Sequence, residues 1–163
     1  MNAHAFLETD DARFRAAWEQ LNQWRGYCVH RFAATEAALS HAIRTARLND
    51  PGALVKRIEA LGKRIAMNGQ PAGSAKKLAK ALDDLAGLVP SRNAIVHGHG
   101  AVSLDRHGDW VWTYRVPPQG KSGWACEGYF TAASAAIYGR ELQALSQSII
   151  DLLRIPGHAA EAE

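Results

Sequence analysis

The first half of the chain repeats apolar residues at the spacing of an α-helix. From about Asp10, apolar residues recur at steps of three, four and seven, which places them on one helix face. The pattern ends at the turn residues 49–51, and because Gly26 interrupts it we expect one long helix or two with a bend near Trp24–Gly26. The members of this stripe are Phe14, Trp18, Leu21, Cys28, Phe32, Leu39 and Ile43.

Two further helices are predicted before residue 88. Asp50 can cap the first of them, with Pro51 at its first helical position, and Ser74 can cap the second. The second carries three lysines between residues 76 and 80, which we interpret as a solvated face in preference to an anion-binding patch. Their inward positions are Leu54, Ile58, Leu61, Ile65, Leu78, Leu82 and Leu85.

Three polar residues lie inside the apolar stretch Leu88–Gly100. Pro90 is suited to the first turn of a helix and Gly98 to its end, so the pattern predicts a short helix of about two turns. Gly87 would separate this short helix from the lysine-bearing one.

Beyond Gly100 the apolar period changes from helical to alternating. Residues 101–104, 110–116 and 124–130 predict three short strands, with a turn at 105–108 and a loop at 117–123. Thr131 can cap a last helix. Its stripe is Tyr138, Leu142, Leu145, Ile149 and Leu152.

These elements predict a mainly α-helical fold with a small antiparallel β-meander, residues 101–130, inserted before the last helix. The 163 residues suit a single domain over residues 1–163. We expect an ordered core over about residues 10–153 and a flexible tail over 156–163.

Composition indicates the cellular compartment and the possible partners of the protein more than it indicates an activity. A net charge of +3 and a pI near 9.0 permit a polyanionic partner without requiring one. The two cysteines, Cys28 and Cys126, form no C-x-x-C pattern, which favours a reducing cytoplasm. No apolar run reaches about 18 residues, so we expect no membrane partner.

The most informative string is Pro-Ser-Arg-Asn-Ala-Ile-Val-His-Gly, which contains Arg92, Asn93 and His97. The Arg-to-His spacing alone is weak, because Arg25 and His30 repeat it. In a helix Asn93 and His97 stack one turn apart, and Arg92 lies about 140° around the axis from His97. The added Asn and the Pro and Gly boundaries distinguish the later pair.

These residue types are suited to phosphate chemistry. Arg92 can bind a phosphate in two places, His97 can transfer protons near neutral pH, and Asn93 can orient the imidazole or a phosphate. Together they could cleave RNA without a metal, by attack of the ribose 2′-hydroxyl on its own phosphorus. A second proton-transfer group would have to come from elsewhere, such as a symmetry mate.

Arg92-Asn93-x-x-x-His97, late in a helical domain and followed by a closing helix, resembles the motif of the HEPN superfamily. The resemblance implies a helical bundle that forms a homodimer, with the motif lining the cleft between subunits. Many members are metal-independent ribonucleases that act as toxins of toxin–antitoxin pairs, in phage defence or in RNA processing. It therefore implies RNA as substrate, an antitoxin protein as a partner, and neither cofactor nor metal.

Two residues are assigned supporting roles. In one HEPN toxin subgroup a modified Tyr stands two residues after the His, and here that position is His99. Glu36 shares the stripe of Phe32 and Leu39, where a carboxylate needs a partner. We hypothesise that Glu36 approaches Arg92 or His97 and orients it; the alternative is a solvated Glu36 on a slightly rotated stripe.

Two other clusters have simpler interpretations. The histidines at 97, 99 and 107, with Asp105 and Asp109, could suggest a metal site, but a His-x-His pair is common by chance and His107 lies in a turn where polar residues are expected. Trp110, Trp112 and Tyr114 share one strand face and, with Trp124, could stack on bases. Packing of that face onto a helix is the favoured interpretation.

Two functions follow. The first is an endoribonuclease that leaves a cyclic phosphate and a free 5′-hydroxyl, with His97 transferring protons, Arg92 stabilising phosphate charge and Asn93 positioning. The second is a noncatalytic HEPN-like module that binds nucleotide, RNA or protein and uses the same three residues to hold its dimer.

Overall fold

The computed structural model describes residues 12–67, 73–116 and 126–154. Helices account for 74% of these residues, and the prediction of a mainly helical fold with an antiparallel sheet before the last helix is confirmed. The helices are α1 (Ala12–Thr45), α2 (Leu54–Met67), α3 (Ser74–His97) and α4 (Ala132–Arg154). The strands are β1 (His99–Leu104), β2 (Trp110–Val116) and β3 (Cys126–Thr131).

Helix α1 is continuous through Gly26, so the first of the two predicted forms is correct. Leu21, Phe32 and most other members of its apolar stripe are buried, but Trp18 is 40% exposed. Ala17, one position earlier, is buried in its place, because the buried face lies about 100° around the helix from Trp18. The predicted start of the helix near Asp10 lies outside the described residues.

The predicted start of α2 at Asp50 and Pro51 is wrong, since the helix begins at Leu54. Gly52 has a φ of +78°, a left-handed conformation that interrupts any helical turn begun at Pro51. The Asp50 carboxylate instead accepts a hydrogen bond from the Gly52 amide, 2.9 Å away.

The separate short helix predicted to begin at Pro90 is also wrong, because α3 runs without a break from Ser74 to His97. A proline in a helix interior removes one backbone donor, here the donor to the Ala86 carbonyl. Both Pro90 and Ala86 are exposed, so water can satisfy that carbonyl. The predicted helix end at Gly98 is confirmed.

The sheet has the order β1-β2-β3 with both pairs antiparallel, as predicted for a meander. Trp112 in the central strand lies opposite Val102 on one side and Phe130 on the other. At the start of α4, the Ser134 amide donates to the Thr131 hydroxyl at 3.1 Å and the Thr131 amide donates to the Ser134 hydroxyl at 2.9 Å. This reciprocal cap confirms Thr131 as the N-cap.

The backbone contacts divide the chain into two compact units. The first unit comprises Met1–Tyr27 and Asn93–Gly139, and so contains the sheet. Its core joins Trp24 of α1 to Trp110, Phe130 and Tyr138, with ring centroids 4.8–6.2 Å apart. The Trp24 indole also donates a hydrogen bond to the Ala135 carbonyl at 2.9 Å.

The second unit comprises Cys28–Arg92 and Arg140–Glu163. A buried hydrogen bond of 2.8 Å joins the hydroxyls of Thr35 and Ser146, both fully buried. Its buried apolar residues include Phe32, Leu39, Ile43, Leu54, Ile58, Leu61, Leu82, Leu85, Leu142 and Ile149.

The predictions of one domain over residues 1–163 and of a core over about 10–153 stay predictions. The predicted tail at 156–163, the loop at 117–123 and Trp124 lie outside the described residues. Within residues 12–67, 73–116 and 126–154, no helix combines the length and apolar character needed to cross a bilayer.

Candidate functional site

The three motif residues lie on the last two turns of α3. The helix ends after His97, where the Gly98 amide donates the final helical bond to the Ala94 carbonyl at 2.7 Å. A Cβ atom at position 98 would overlap that carbonyl oxygen and meet the Trp112 ring at 3.3 Å. The glycine therefore permits the close approach that places His97 at the helix terminus.

The motif residues differ in their exposure. His97 is exposed, whereas Arg92 and Asn93 are half-buried. Within the described part of the chain, the exposed His97 side chain makes no hydrogen bond or ion pair. An exposed imidazole can exchange protons with a bound molecule without first breaking a contact.

Arg92 pairs with the carboxylate that the sequence singled out. Its Nη2 donates to Oε1 of Glu36 at 3.1 Å, and the two side chains are 25% and 22% exposed. The expected approach of Glu36 to Arg92 is confirmed, and the alternative of a solvated Glu36 is wrong. The role of this pair in a reaction stays a prediction.

A second arginine extends this contact. Nη1 of Arg57 lies 3.7 Å from Oε2 of Glu36, and its Nε and Nη2 donate to the two carboxylate oxygens of Asp50 at 2.8 and 3.3 Å. Ser40 also donates to Asp50, and Arg44 donates to the Ser40 hydroxyl at 3.2 Å. The hydrogen bonds that Asp50 accepts from Arg57, from Ser40 and from the Gly52 amide hold the pKa of Asp50 well below its ordinary value.

Nothing in the sequence pattern indicated a role for Arg57, and Asp50 was predicted to cap a helix. An arginine on an amphipathic helix ordinarily faces solvent, so the position of Arg57 in the sequence does not distinguish it from a surface residue. Asp50, Arg57, Glu36 and Arg92 form a chain of alternating charges that ends at the motif arginine. We call these four residues the Glu36 network.

Arg25 is the second residue that sequence reasoning missed, since it entered only as a chance repeat of the motif spacing. Its Nε and Nη2 both donate to the Ile95 carbonyl, at 3.1 and 2.8 Å. Its guanidinium lies 4.7 Å from the centroid of the Trp112 ring. Burial lowers the pKa of Arg25 from its usual 12.5.

The residues that were weighed as possible metal ligands do not form a metal site. His99 begins β1, is exposed and lies opposite Arg115, so its supporting role stays a prediction. Asp105 accepts hydrogen bonds from the amides of His107 and Asp109, and the first of these is the main cause of its lowered pKa. Within the described ranges, no three His, Cys, Asp or Glu residues are arranged to hold a metal ion.

The strand tryptophans are buried, not displayed. Trp110 and Trp112 are 4% and 1% exposed and lie 5.8 and 6.5 Å, ring to ring, from Trp24 of α1. Packing of this face onto a helix is confirmed, and these two rings are not accessible for base stacking.

Comparison with protein families, with curated proteins and with solved structures finds no match to this chain. The chemistry of the site must therefore be argued from its residues: an exposed imidazole at a helix end, an amide one turn earlier, and a guanidinium held by a carboxylate.

Proposed function

We propose that this protein is a metal-independent endoribonuclease of HEPN type, with His97, Arg92 and Asn93 as its catalytic residues. The observation that carries the proposal is the contrast between an exposed, uncommitted His97 and an Arg92 held at 3.1 Å by Glu36. Proton transfer needs an accessible imidazole, and charge stabilisation needs an arginine of fixed orientation. His97 meets the requirement for an accessible imidazole, and Arg92 meets the requirement for a fixed guanidinium.

The proposed reaction balances with two proton transfers. The ribose 2′-hydroxyl loses its proton and attacks phosphorus, the bond to the 5′-oxygen breaks, and that oxygen gains a proton. The products are a 2′,3′-cyclic phosphate and a 5′-hydroxyl. Arg92 stabilises the negative charge that develops on the phosphoryl oxygens, and Asn93 donates to one of them.

One His97 can perform only one of the two transfers at a time. A homodimer that brings two copies of α3 to one cleft supplies the second imidazole, and its two-fold symmetry makes the two sites equivalent. The proposed enzyme is therefore dimeric, and an antitoxin that covers the exposed end of α3 would inhibit it.

One observation favours the second candidate, a noncatalytic HEPN-like module that binds nucleotide, RNA or protein. Glu36 already neutralises part of the Arg92 charge and accepts one of its donors. An arginine committed to an internal carboxylate can serve to hold a helix in place without meeting phosphate. The same pair is compatible with catalysis only if substrate uses the remaining guanidinium donors.

The test is cleavage of several end-labelled RNAs by purified protein in the presence of chelator. We expect wild type to produce cyclic phosphate ends, and His97→Ala to lower kcat about 100-fold or more. The matched control is His30→Ala, because His30 has the same spacing from Arg25 and is also exposed on a helix. Its rate should equal that of wild type.

Arg92→Ala and Arg140→Ala form a second matched pair, since Arg140 is an exposed helical arginine outside the motif. Only the first should lose activity. If wild type and all variants are equally inert, the nuclease proposal fails and the binding module remains. If activity is lost in chelator, the metal-independent mechanism is wrong.

A further inference from the structure

Arg25 lies where a helix end, a buried tryptophan and two close-packed glycines meet. The Ile95 carbonyl is in the last turn of α3, and its regular helical donor would be the amide of His99. That amide belongs to strand β1, so the carbonyl needs another donor. The Nε and Nη2 groups of Arg25 supply two, at 3.1 and 2.8 Å.

The guanidinium is also held from a second direction. It lies 4.7 Å from the centroid of the Trp112 ring, a distance at which a cation is attracted to the ring face. Trp112 is 1% exposed and is fixed in the central strand between Val102 and Phe130. Arg25 thus joins the α3 terminus to a rigid ring of the sheet, within one compact unit.

The connection from α3 to β1 is shaped around the same ring. A Cβ atom at position 98 would lie 3.3 Å from the Trp112 ring, and one at position 100 would lie 2.8 Å from its Nε1. Only glycine fits this close at both positions. The segment from Ile95 to Gly100, which contains His97, is therefore seated on Trp112 on one side and bonded to Arg25 at its start.

Among residues 12–67, 73–116 and 126–154, Arg25 has no acidic partner that would explain its partial burial. Within the described residues its only polar contact is the Ile95 carbonyl, and no carboxylate lies within ion-pair distance. The partial negative charge at a helix C-terminus is what compensates the guanidinium there. This arrangement is typical of a side chain that fixes a helix end.

We infer that Arg25 is a positioning residue, which holds the last turn of α3 on Trp112 and thereby fixes the place of His97. This inference rests on the proposed function for its catalytic consequence, but its structural part stands on the contacts alone. Arg25 acts through Ile95 and Trp112 and need not touch substrate.

The test combines amide hydrogen exchange with RNA cleavage in Arg25→Met and Arg25→Lys. Methionine keeps an apolar stem and removes both hydrogen bonds. Lysine keeps the charge but lacks the paired Nε and Nη2 donors of the guanidinium. Arg140→Met is the control for removal of an exposed helical arginine. Circular dichroism first establishes that each variant folds, and Arg25→Lys serves if Arg25→Met does not.

We expect the Gly98 amide, which closes the last helical bond, to exchange about tenfold faster in both Arg25 variants and unchanged in the control. We expect kcat to fall on the order of 10- to 100-fold in both, with KM within about twofold of wild type. Unchanged exchange at Gly98 overturns the inference. So does faster exchange with an unchanged kcat, since the contact then fixes the helix end without serving catalysis.

The two failures are distinguishable. If wild type cleaves no RNA but Gly98 exchange rises only in the Arg25 variants, the proposed function fails and the anchoring of the α3 terminus is supported. If Arg25→Lys behaves as wild type while Arg25→Met raises only KM, Arg25 contributes charge to RNA binding and the positioning role is overturned.

Discussion

Glu36→Gln tests whether the Glu36 network stabilises the protein. The substitution keeps the shape of the side chain and removes its charge, so the carboxylate pairs with Arg92 at 3.1 Å and with Arg57 at 3.7 Å are both weakened. At an effective dielectric constant of about 20, the attraction to Arg92 alone is about 5 kcal/mol before desolvation is subtracted. Most of that gain is offset by the removal of three charges from water.

The net loss should be about 1–2 kcal/mol, because the three side chains are only 16–25% exposed and the remaining amide can still accept one hydrogen bond. For a chain of this size that loss lowers Tm by about 3–6 °C. Urea denaturation followed by circular dichroism measures the free energy of unfolding directly.

Glu59→Gln is the matched control, since Glu59 forms an ion pair with Lys56 at 3.0 Å in which the side chains are 45% and 62% exposed. Solvent screens that pair, so the same substitution should cost no more than about 0.5 kcal/mol. Equal free energies of unfolding for the two variants would refute the reasoning. A cycle of Glu36→Gln with Arg92→Met then isolates the coupling between those two residues.

Three further predictions follow from single positions. Gly100→Ala should cost about 1–3 kcal/mol in urea denaturation, because its Cβ would overlap the Thr113 carbonyl, whereas Gly87→Ala, with open space around it, should stabilise α3 by about 0.5–1 kcal/mol. The lowered pKa of Asp50 means that its stabilising effect is present above pH 4 and is lost as the pH falls below it, so Asp50→Asn should flatten the acid side of the stability profile. Burial raises the pKa of Cys28 to about 12, so its alkylation at pH 8, followed by peptide mass spectrometry, should be on the order of 1,000-fold slower in folded than in unfolded protein.

The sequence by itself determined the type and order of the elements, but it did not determine that α3 continues through Pro90. Helical spacing predicted α1, alternation predicted β2, and Thr131 predicted the start of α4 because a capping hydroxyl acts within one turn of its own position. Local signals failed where a residue had two possible uses. Pro90 can start a helix or be tolerated within one. It is tolerated within α3, where the Ala86 carbonyl that loses its helical donor is at an exposed residue.

The candidate site was predictable only in its chemistry. Arg92, Asn93 and His97 could be selected because they share one short string, and Glu36 because a carboxylate on an apolar stripe needs a partner. That its partner is Arg92, 56 residues away, is a matter of tertiary packing.

Tertiary structure alone decided the roles of Arg57 and Arg25. Each is a long, flexible cation whose stem suits any helix surface, so its sequence position does not indicate where its charge lies. Arg57 is committed to two carboxylates, and Arg25 to the Ile95 carbonyl and the Trp112 ring. The spacing of Arg25 and His30 suggested only a chance repeat of the motif. In the structure, Arg25 is bonded to the end of the helix that carries His97.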